Sequence, residues 1–385
     1  MMTRIKKRIA LYATTIGCLL FSAIGQSATL EEFDERLKKL ESEVEINREV
    51  ISDAAESFKN NMSVTGYADT EYVSTNKASS KEGFRIHHVS LFFKKEISED
   101  WRFFSEIEYE DGPYYEPSKA TITNAQTVGS GKIFAEAVNF DYRWRPDTSV
   151  RVGRFFTPAG IWSVDHYPPF VTTQDRPQHI RNIFPQLVDG AAITGHHPVG
   201  NAFVGYDFFV GNGETTLFDG SGDGNSTTAV GLRAAVSLPI AQQFEVGATL
   251  YRDKLAASAD AVQSKKDAKG VHAKIRQGAL GFQAEYADGS YTPTVSPATN
   301  LPYHKKGYYA QFSYDIREWT LGYRHDFYNS NSTTALNDLK INSVFANYQA
   351  SKNVVLKWEH HLANLENPTA RDYYRDLVSV VVNLD

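Results

Sequence analysis

Ionisable residues crowd one stretch of this chain. Between 157 and 188, Asp165, His166, Asp175, Arg176, His179 and Arg181 fall among aromatic and proline residues, and Arg154 comes just before them. A mixture of both signs on one loop can attract, repel or filter small ions. It lacks the order that covalent catalysis needs: there is no Gly-x-Ser-x-Gly elbow and no His-Glu-x-x-His helix anywhere in the chain. The pairs His87-His88, His196-His197 and His360-His361 invite a metal reading. Neighbours on a strand point to opposite faces, so each pair is expected to offer one histidine to a given side. The segment DGSGDGNST at 219–227 begins like a calcium loop, but Val230 stands where the bidentate Glu belongs. No catalytic residue, metal or cofactor is therefore assigned.

The stretch opens with GRFFTPAGIW, 153–162, in which a strand pattern is cut off by Pro158 and Gly160. What positions it is a long series of strands. From Met62 onward the hydrophobic pattern has period two: Trp319, Leu321, Tyr323, His325 and Phe327 share one face, opposite Thr320, Gly322, Arg324 and Asp326. Many runs reach nine residues or more, the ~9–11 needed to cross a bilayer at a tilt. Short connections near 98–100, 145–147, 199–201, 240–242, 276–278, 317–318 and 351–353 alternate with long ones. The long ones lie near 75–83, 112–130, 157–188, 212–226, 254–268, 289–303, 329–339 and 365–371.

That alternation predicts an all-β, antiparallel transmembrane β-barrel of about sixteen strands, spanning 61–385 and bathed outside by outer-membrane lipid. The rival, a soluble sandwich, predicts shorter strands and no such alternation. A barrel of this size leaves a lumen. The alternation places Arg102, Glu106, Glu108, Arg143, Arg151, Arg233, Glu245, Lys274, Glu285, Asp315, Arg324, Asp326, Lys357 and Glu359 on its water-facing wall. The third long loop is expected to fold inward and constrict that lumen, with Arg154, Asp165, His166, Asp175, Arg176, His179 and Arg181 as the groups it presents.

The N-terminal region has a separate logic. Arg4, Lys6, Lys7 and Arg8 precede an apolar run that ends in Gly25-Gln26-Ser27-Ala28, which predicts a signal peptide over 1–27. Its four cations and absence of anions mean that removal takes the formal net charge from −6 to −10. An acidic exported chain is not expected to bind nucleic acid. Cys18 is the sole cysteine, which leaves no disulfide framework. In 28–60, Leu30, Leu37, Val44 and Ile51 recur every seven residues, with Phe33, Leu40 and Asn47 three after the first three. This a/d frame predicts a coiled coil, three-stranded as the favoured state, with Asn47 setting register.

Residues 62–385 resemble the phosphate-selective O and P family of outer-membrane porins and, more broadly, trimeric sixteen-stranded porins. The likeness rests on GRFFTPAGIW, the RIHHVSLFFKKEISEDWRFFSEIEYEDG hairpin and the long third loop. A heptad region before the barrel, as at 30–58, also occurs in porins of this type and of the dicarboxylate-channel type. The resemblance implies a passive homotrimeric channel for small hydrophilic solutes, including anions such as phosphate or dicarboxylates, with the coiled coil in the periplasm near a partner. Two other readings predict different behaviour. An adhesive or envelope-tethering barrel has a plugged lumen and no conductance, and an outer-membrane hydrolase needs a serine–histidine pair that nothing here singles out.

Overall fold

The computed structural model describes 62–77, 82–112, 114–115, 127–128, 131–214, 227–255, 263–294, 301–334, 336–367 and 371–384, with five positions of 38–48. Sixteen strands form one closed barrel. They are β1 (Met62–Thr75), β2 (Gly83–Glu96), β3 (Trp101–Glu110), β4 (Lys132–Arg145), β5 (Thr148–Phe156), β6 (Leu187–Val199), β7 (Ala202–Gly211) and β8 (Ala229–Ser237). The second half comprises β9 (Gln243–Leu255), β10 (Ser264–Gln277), β11 (Leu280–Pro293), β12 (Tyr303–Ile316), β13 (Trp319–Asn329), β14 (Asp338–Ser351), β15 (Val354–Leu365) and β16 (Tyr373–Asn383). Each strand pairs antiparallel with its sequence neighbours, and β16 closes on β1 through Tyr67↔Asn383 to Thr75↔Arg375. The soluble-sandwich alternative is thereby set aside.

The two faces of the wall are inverted relative to a water-soluble domain. Leu250 and Phe312 are 56 % and 58 % exposed on the exterior, alongside Trp319, Leu321 and Tyr323 of β13. Facing inward on the neighbouring parity are Glu106, Arg324 and Lys357, only 0–2 % exposed. An apolar exterior over a polar interior is the arrangement a lipid surround selects. Full closure also pairs every strand edge, which a bilayer demands because it offers no water to an open backbone.

Short turns gather at one end and long connections at the other, as expected. Strands run further into the connections than the sequence boundaries suggested. The connection expected over 254–268 is only 256–263, because Lys265, Lys266 and Asp267 continue the ladder opposite Lys254, Asp253 and Arg252. The one expected over 289–303 shrinks to 294–302. Their charge does not end the ladder, because a barrel strand that projects beyond the apolar band stays hydrogen-bonded whatever its polarity.

A second departure is local. His88 pairs with Asp69, but the next pair is Ile86 with Thr70, so His87 is an extra residue on β2. Such a bulge switches the inward parity: Arg85 and His87 face the interior before it, His88 and Ser90 after it. The expectation that each histidine pair presents only one ring inward therefore fails at 87–88.

Of the coiled-coil positions, Leu30, Phe33, Leu37, Leu40, Asn47 and Ile51 lie outside the described residues. Val44 is helical and exposed. The glycine-rich 219–227 segment lies almost wholly outside them too.

Closure makes β16 indispensable. Deleting 373–383 leaves the inner edges of β1 and β15 unpaired, and the expected outcome is loss of the compact, heat-modifiable band on cold detergent gels. Retention of that band would show that the β1–β16 seam is dispensable.

Candidate functional site

The connection from β5 to β6, residues 157–186, lies inside the barrel. Its neck is closed by the Thr157 N–H donating to the Gln186 carbonyl at 3.0 Å. Gly160 then turns with φ +57°, and a Cβ there would sit 1.7 Å from Glu285 Oε2, so this step of the strand-breaking motif needs glycine. The Gly160 N–H donates to Thr249 Oγ1 and its carbonyl accepts from Arg233 Nε. The Trp162 N–H donates to Glu285 Oε1 at 3.0 Å, with the indole fully buried.

From there the loop crosses to the opposite wall. Lys357 Nζ donates to the carbonyls of Pro168 and Val171, both at 2.6 Å. Gln311 donates to Thr172 Oγ1 and Asn347 to the Thr172 carbonyl. Gln174 donates from its backbone N–H to Glu359 and from its side chain to Asp69 Oδ2. Arg324 donates to Thr173 Oγ1 and to the Asp175 carbonyl while paired to Asp326 at 2.8 Å. Asp175 itself pairs with Arg375, with His361 Nε2 at 3.6 Å. The returning arm carries a short helix, Ile180–Ile183. Ile183 and Phe184 pack with Phe155, Val188, Phe209 and Tyr251 in an apolar cluster on the inner wall.

The loop thus touches strands around most of the circumference, and this changes the reading of the wall. Glu106, Glu108, Glu285, Arg324, Asp326, Lys357 and Glu359 do face inward, as the alternation requires, but they are buried and not water-facing. The sequence pattern reports parity; it cannot report that another segment covers the face. Arg102, Arg143, Arg151, Arg233, Glu245, Lys274 and Asp315 keep partial or full exposure. Among them Arg151 forks onto Asp141 and Arg233 pairs with Glu245 at 2.9 Å.

The loop candidates also separate. Asp165 faces Lys274 at 3.5 Å, and His166 is buried against Phe156 and Tyr167. His179 is buried beside Tyr309 with neither ring nitrogen hydrogen-bonded. Arg154 does not join them. It shares the parity of Val150 and exposed Val152 and binds Asp189 through two hydrogen bonds of 2.6 and 2.8 Å. Arg181 lies in the short helix, and its side chain is outside the description.

Arg176 is the distinctive member: among the described residues no carboxylate pairs with it. It lines a cavity of about 550 Å³ at the long-loop end together with Arg85, Asp175, Arg324 and Arg375. Arg176 also borders a space of about 20 Å³ against Trp162 and His166. A separate cavity of about 150 Å³ opens toward the short-turn end, lined by Asp165, Lys274 and Arg276. Sequence reasoning missed Arg85 and Arg375. Inward parity was available for Arg375, but the bulge at His87 hid it for Arg85.

Comparisons with known proteins fit this geometry at the level of fold. No family model matches the chain. An uncharacterized protein of Aquifex aeolicus (strain VF5) is 29% identical over 127 residues, which are 33% of this chain and 27% of that protein. The match thus spans about a quarter of the relative's length. Among solved structures, the anion-selective porin from Comamonas acidovorans superposes with a TM-score of 0.60 at 11% identity, covering 84% of this chain and 99% of that one. The Salmonella typhi OmpF complex with daunomycin gives 0.58 at 13% identity, covering 84% and 98%. The outer membrane channel DcaP of Acinetobacter baumannii gives 0.53 at 10%, covering 84% and 97%. The barrel has the outer-membrane porin fold.

Two titrations set the acid sensitivity of the loop. Burial opposes ionisation of Asp175, but Arg375, His361 and Arg324 outweigh it and hold its carboxyl well below the usual range. Burial, then Arg324, pushes His179 down to about 3 from 6.5. A released loop takes up protons on His179 as pH falls below 6.5, and on Asp175 below about 3.8, while the seated loop resists both. Both effects weaken seating as pH falls. Hydrogen exchange at 172–179, corrected for its intrinsic rate, is expected to quicken from about pH 6 downward. His179→Leu is expected to move that onset toward pH 4, and an unchanged onset would contradict the assignment. Separately, Arg324→Met leaves Asp326 buried without its partner and is expected to destabilise the folded barrel by about 3–5 kcal/mol, read from denaturant midpoints.

Proposed function

We propose that this chain is an outer-membrane porin: a passive channel for small hydrophilic solutes, narrowed by loop 157–186 and biased toward anions. The observation that carries the reading is a closed sixteen-stranded barrel whose longest described connection is bound across its interior, with a cavity toward each end. In this reading the short turns are periplasmic and the long connections external, as barrel construction favours. Small anions, phosphate and dicarboxylates among them, are the solute class that an arginine outside any ion pair would attract.

The anion bias rests on Arg176. Arg85 and Arg375 are matched by Glu71, Asp111 and Asp175, and Arg324 by Asp326, so most of the local charge is compensated. Among the described residues Arg176 has no ion pair, and it borders both the large cavity and the narrow space beside Trp162. A cation outside any ion pair at a narrow point acts on each passing ion, whereas paired charges largely cancel. The fold likeness to the anion-selective porin from Comamonas acidovorans supports the same reading without carrying it. Assembly as a homotrimer is proposed from fold likeness, since OmpT of Vibrio cholerae, another match with a TM-score of 0.55, is described in a trimer form.

The narrowness of the space at Trp162, His166 and Arg176 favours one competing reading, a plugged barrel that tethers or adheres. Planar-bilayer recordings separate the two. A porin gives ohmic steps and, in a salt gradient, a reversal potential displaced toward that of the anion. Arg176→Ala is expected to reduce the anion:cation permeability ratio severalfold. Absence of conductance overturns the channel, and an unchanged ratio in Arg176→Ala overturns the role of that residue.

A further inference from the structure

The bulge on β2 does more than shift parity. It turns both His87 and His88 toward one carboxylate, with His87 Nδ1 at 3.1 Å from Asp69 Oδ2 and His88 Nδ1 at 2.8 Å from Asp69 Oδ1. A neutral imidazole whose Nδ1–H is held by a carboxylate has its other nitrogen left as a lone-pair donor. In His88 that nitrogen, Nε2, is buried and has no hydrogen-bond partner, although the residue is only 3 % exposed. It points to the cross-strand neighbour on β3, where Glu110 Oε1 lies 3.8 Å away.

Glu108, two residues before Glu110, shares its inward face. Ligand atoms of His88, Glu108 and Glu110 all lie within 4.8 Å of one another. Tyr67 OH donates to Glu108 Oε2 at 2.8 Å, fixing one oxygen and leaving the other available. No lysine or arginine pairs with Glu108 or Glu110 among the described residues. Glu106 and Glu136 are buried beside Glu108, within the same 4.8 Å limit, so four carboxyl groups crowd one patch of the inner wall. Carboxylates so close in a dry interior require protons or a bound cation.

We propose that His88, Glu108 and Glu110 form a divalent-cation site of the zinc class, with Asp69 as the positioning residue that orients His88. One imidazole and two carboxylates suit a borderline first-row ion and leave a fourth position for water. With bonds of ~2.1 Å, a tetrahedral ion holds its ligand atoms roughly 3.4 Å apart, so His88 and Glu110, 3.8 Å apart, must close by about 0.4 Å and no pair by more than about 1.4 Å. Glu110 is partly exposed and borders a cavity of about 190 Å³ at the long-loop end, which supplies an entry path. Bound there, the ion ties β2 to β3 directly before the chain leaves for the connection 111–131.

The test uses full-length protein in detergent, freed of metal by chelation, titrated with Zn²⁺ by calorimetry and with Co²⁺ by visible spectroscopy. One saturable equivalent is expected, with Co²⁺ ligand-field bands of low-symmetry N/O coordination. His88→Gln and Glu110→Gln, the second at the least buried ligand, are each expected to weaken binding at least tenfold. Asp69→Asn is expected to weaken it about tenfold, because it loosens ring orientation without removing a ligand. His360→Gln, at a ring bound to Asp376 instead, serves as the control and should bind as the parent does. Heat-modifiable migration confirms folding of each variant. Absence of saturable binding, or equal affinity in the folded Glu110→Gln protein, overturns the site.

Discussion

The arrangement depends on buried wall charges that the third loop helps to satisfy. Lys357 is enclosed on the inner wall, and its ammonium group reaches two loop carbonyls and the Gln174 side chain. Arg324, equally enclosed, divides its donors between Asp326 and the loop at Thr173 and Asp175. A charge withdrawn from water without such partners is strongly unfavourable. The loop in turn has backbone groups that no ladder accepts, because Pro158, Pro168, Pro169 and Pro177 interrupt it. Each side supplies what the other lacks, so the seat is specified by polar matching as much as by apolar packing.

This explains why so polar an interior does not destabilise the barrel. In a soluble domain the apolar faces meet inside; here they lie on the exterior, and the interior is assembled from hydrogen bonds between wall side chains and loop backbone. The apolar cluster of Phe155, Ile183, Phe184 and Phe209 is the exception, and it sits where the loop returns to the wall. One arm of the loop is therefore held by packing and the opposite arm by charge. That division gives the loop an acid-sensitive side around Asp175 and His179 and an acid-insensitive one at the returning end.

Much of the barrel was legible from the chain because period two is a direct consequence of strand geometry. The faces of β12 and β13 follow from alternation alone, and the short turns at 145–147 and 276–278 follow from turn residues. Three things were not legible. Lys265, Lys266 and Asp267 belong to a ladder that polarity concealed. His87 is one residue too many, and no composition signal marks the bulge that turns two histidines onto Asp69. The burial of Glu106, Arg324 and Lys357 depends on a segment distant in sequence, so each residue's own strand carries no trace of it. The loop itself is marked in the sequence by Pro158 and Gly160, and the closeness of Glu285 gives Gly160 a second reason to be glycine.

The account turns on the loop being bound across the interior and not lying over the mouth. The barrel region contains no cysteine, so a pair can be introduced without interference from native thiols there. Thr172→Cys combined with Gln311→Cys replaces a side-chain hydrogen bond of 2.6 Å by two thiols on loop and wall. Mild oxidation of the folded protein should join them in high yield, seen as loss of free thiol and as linked fragments after cleavage between the two positions. Two freely alkylated cysteines in a folded barrel that does not cross-link would contradict the account.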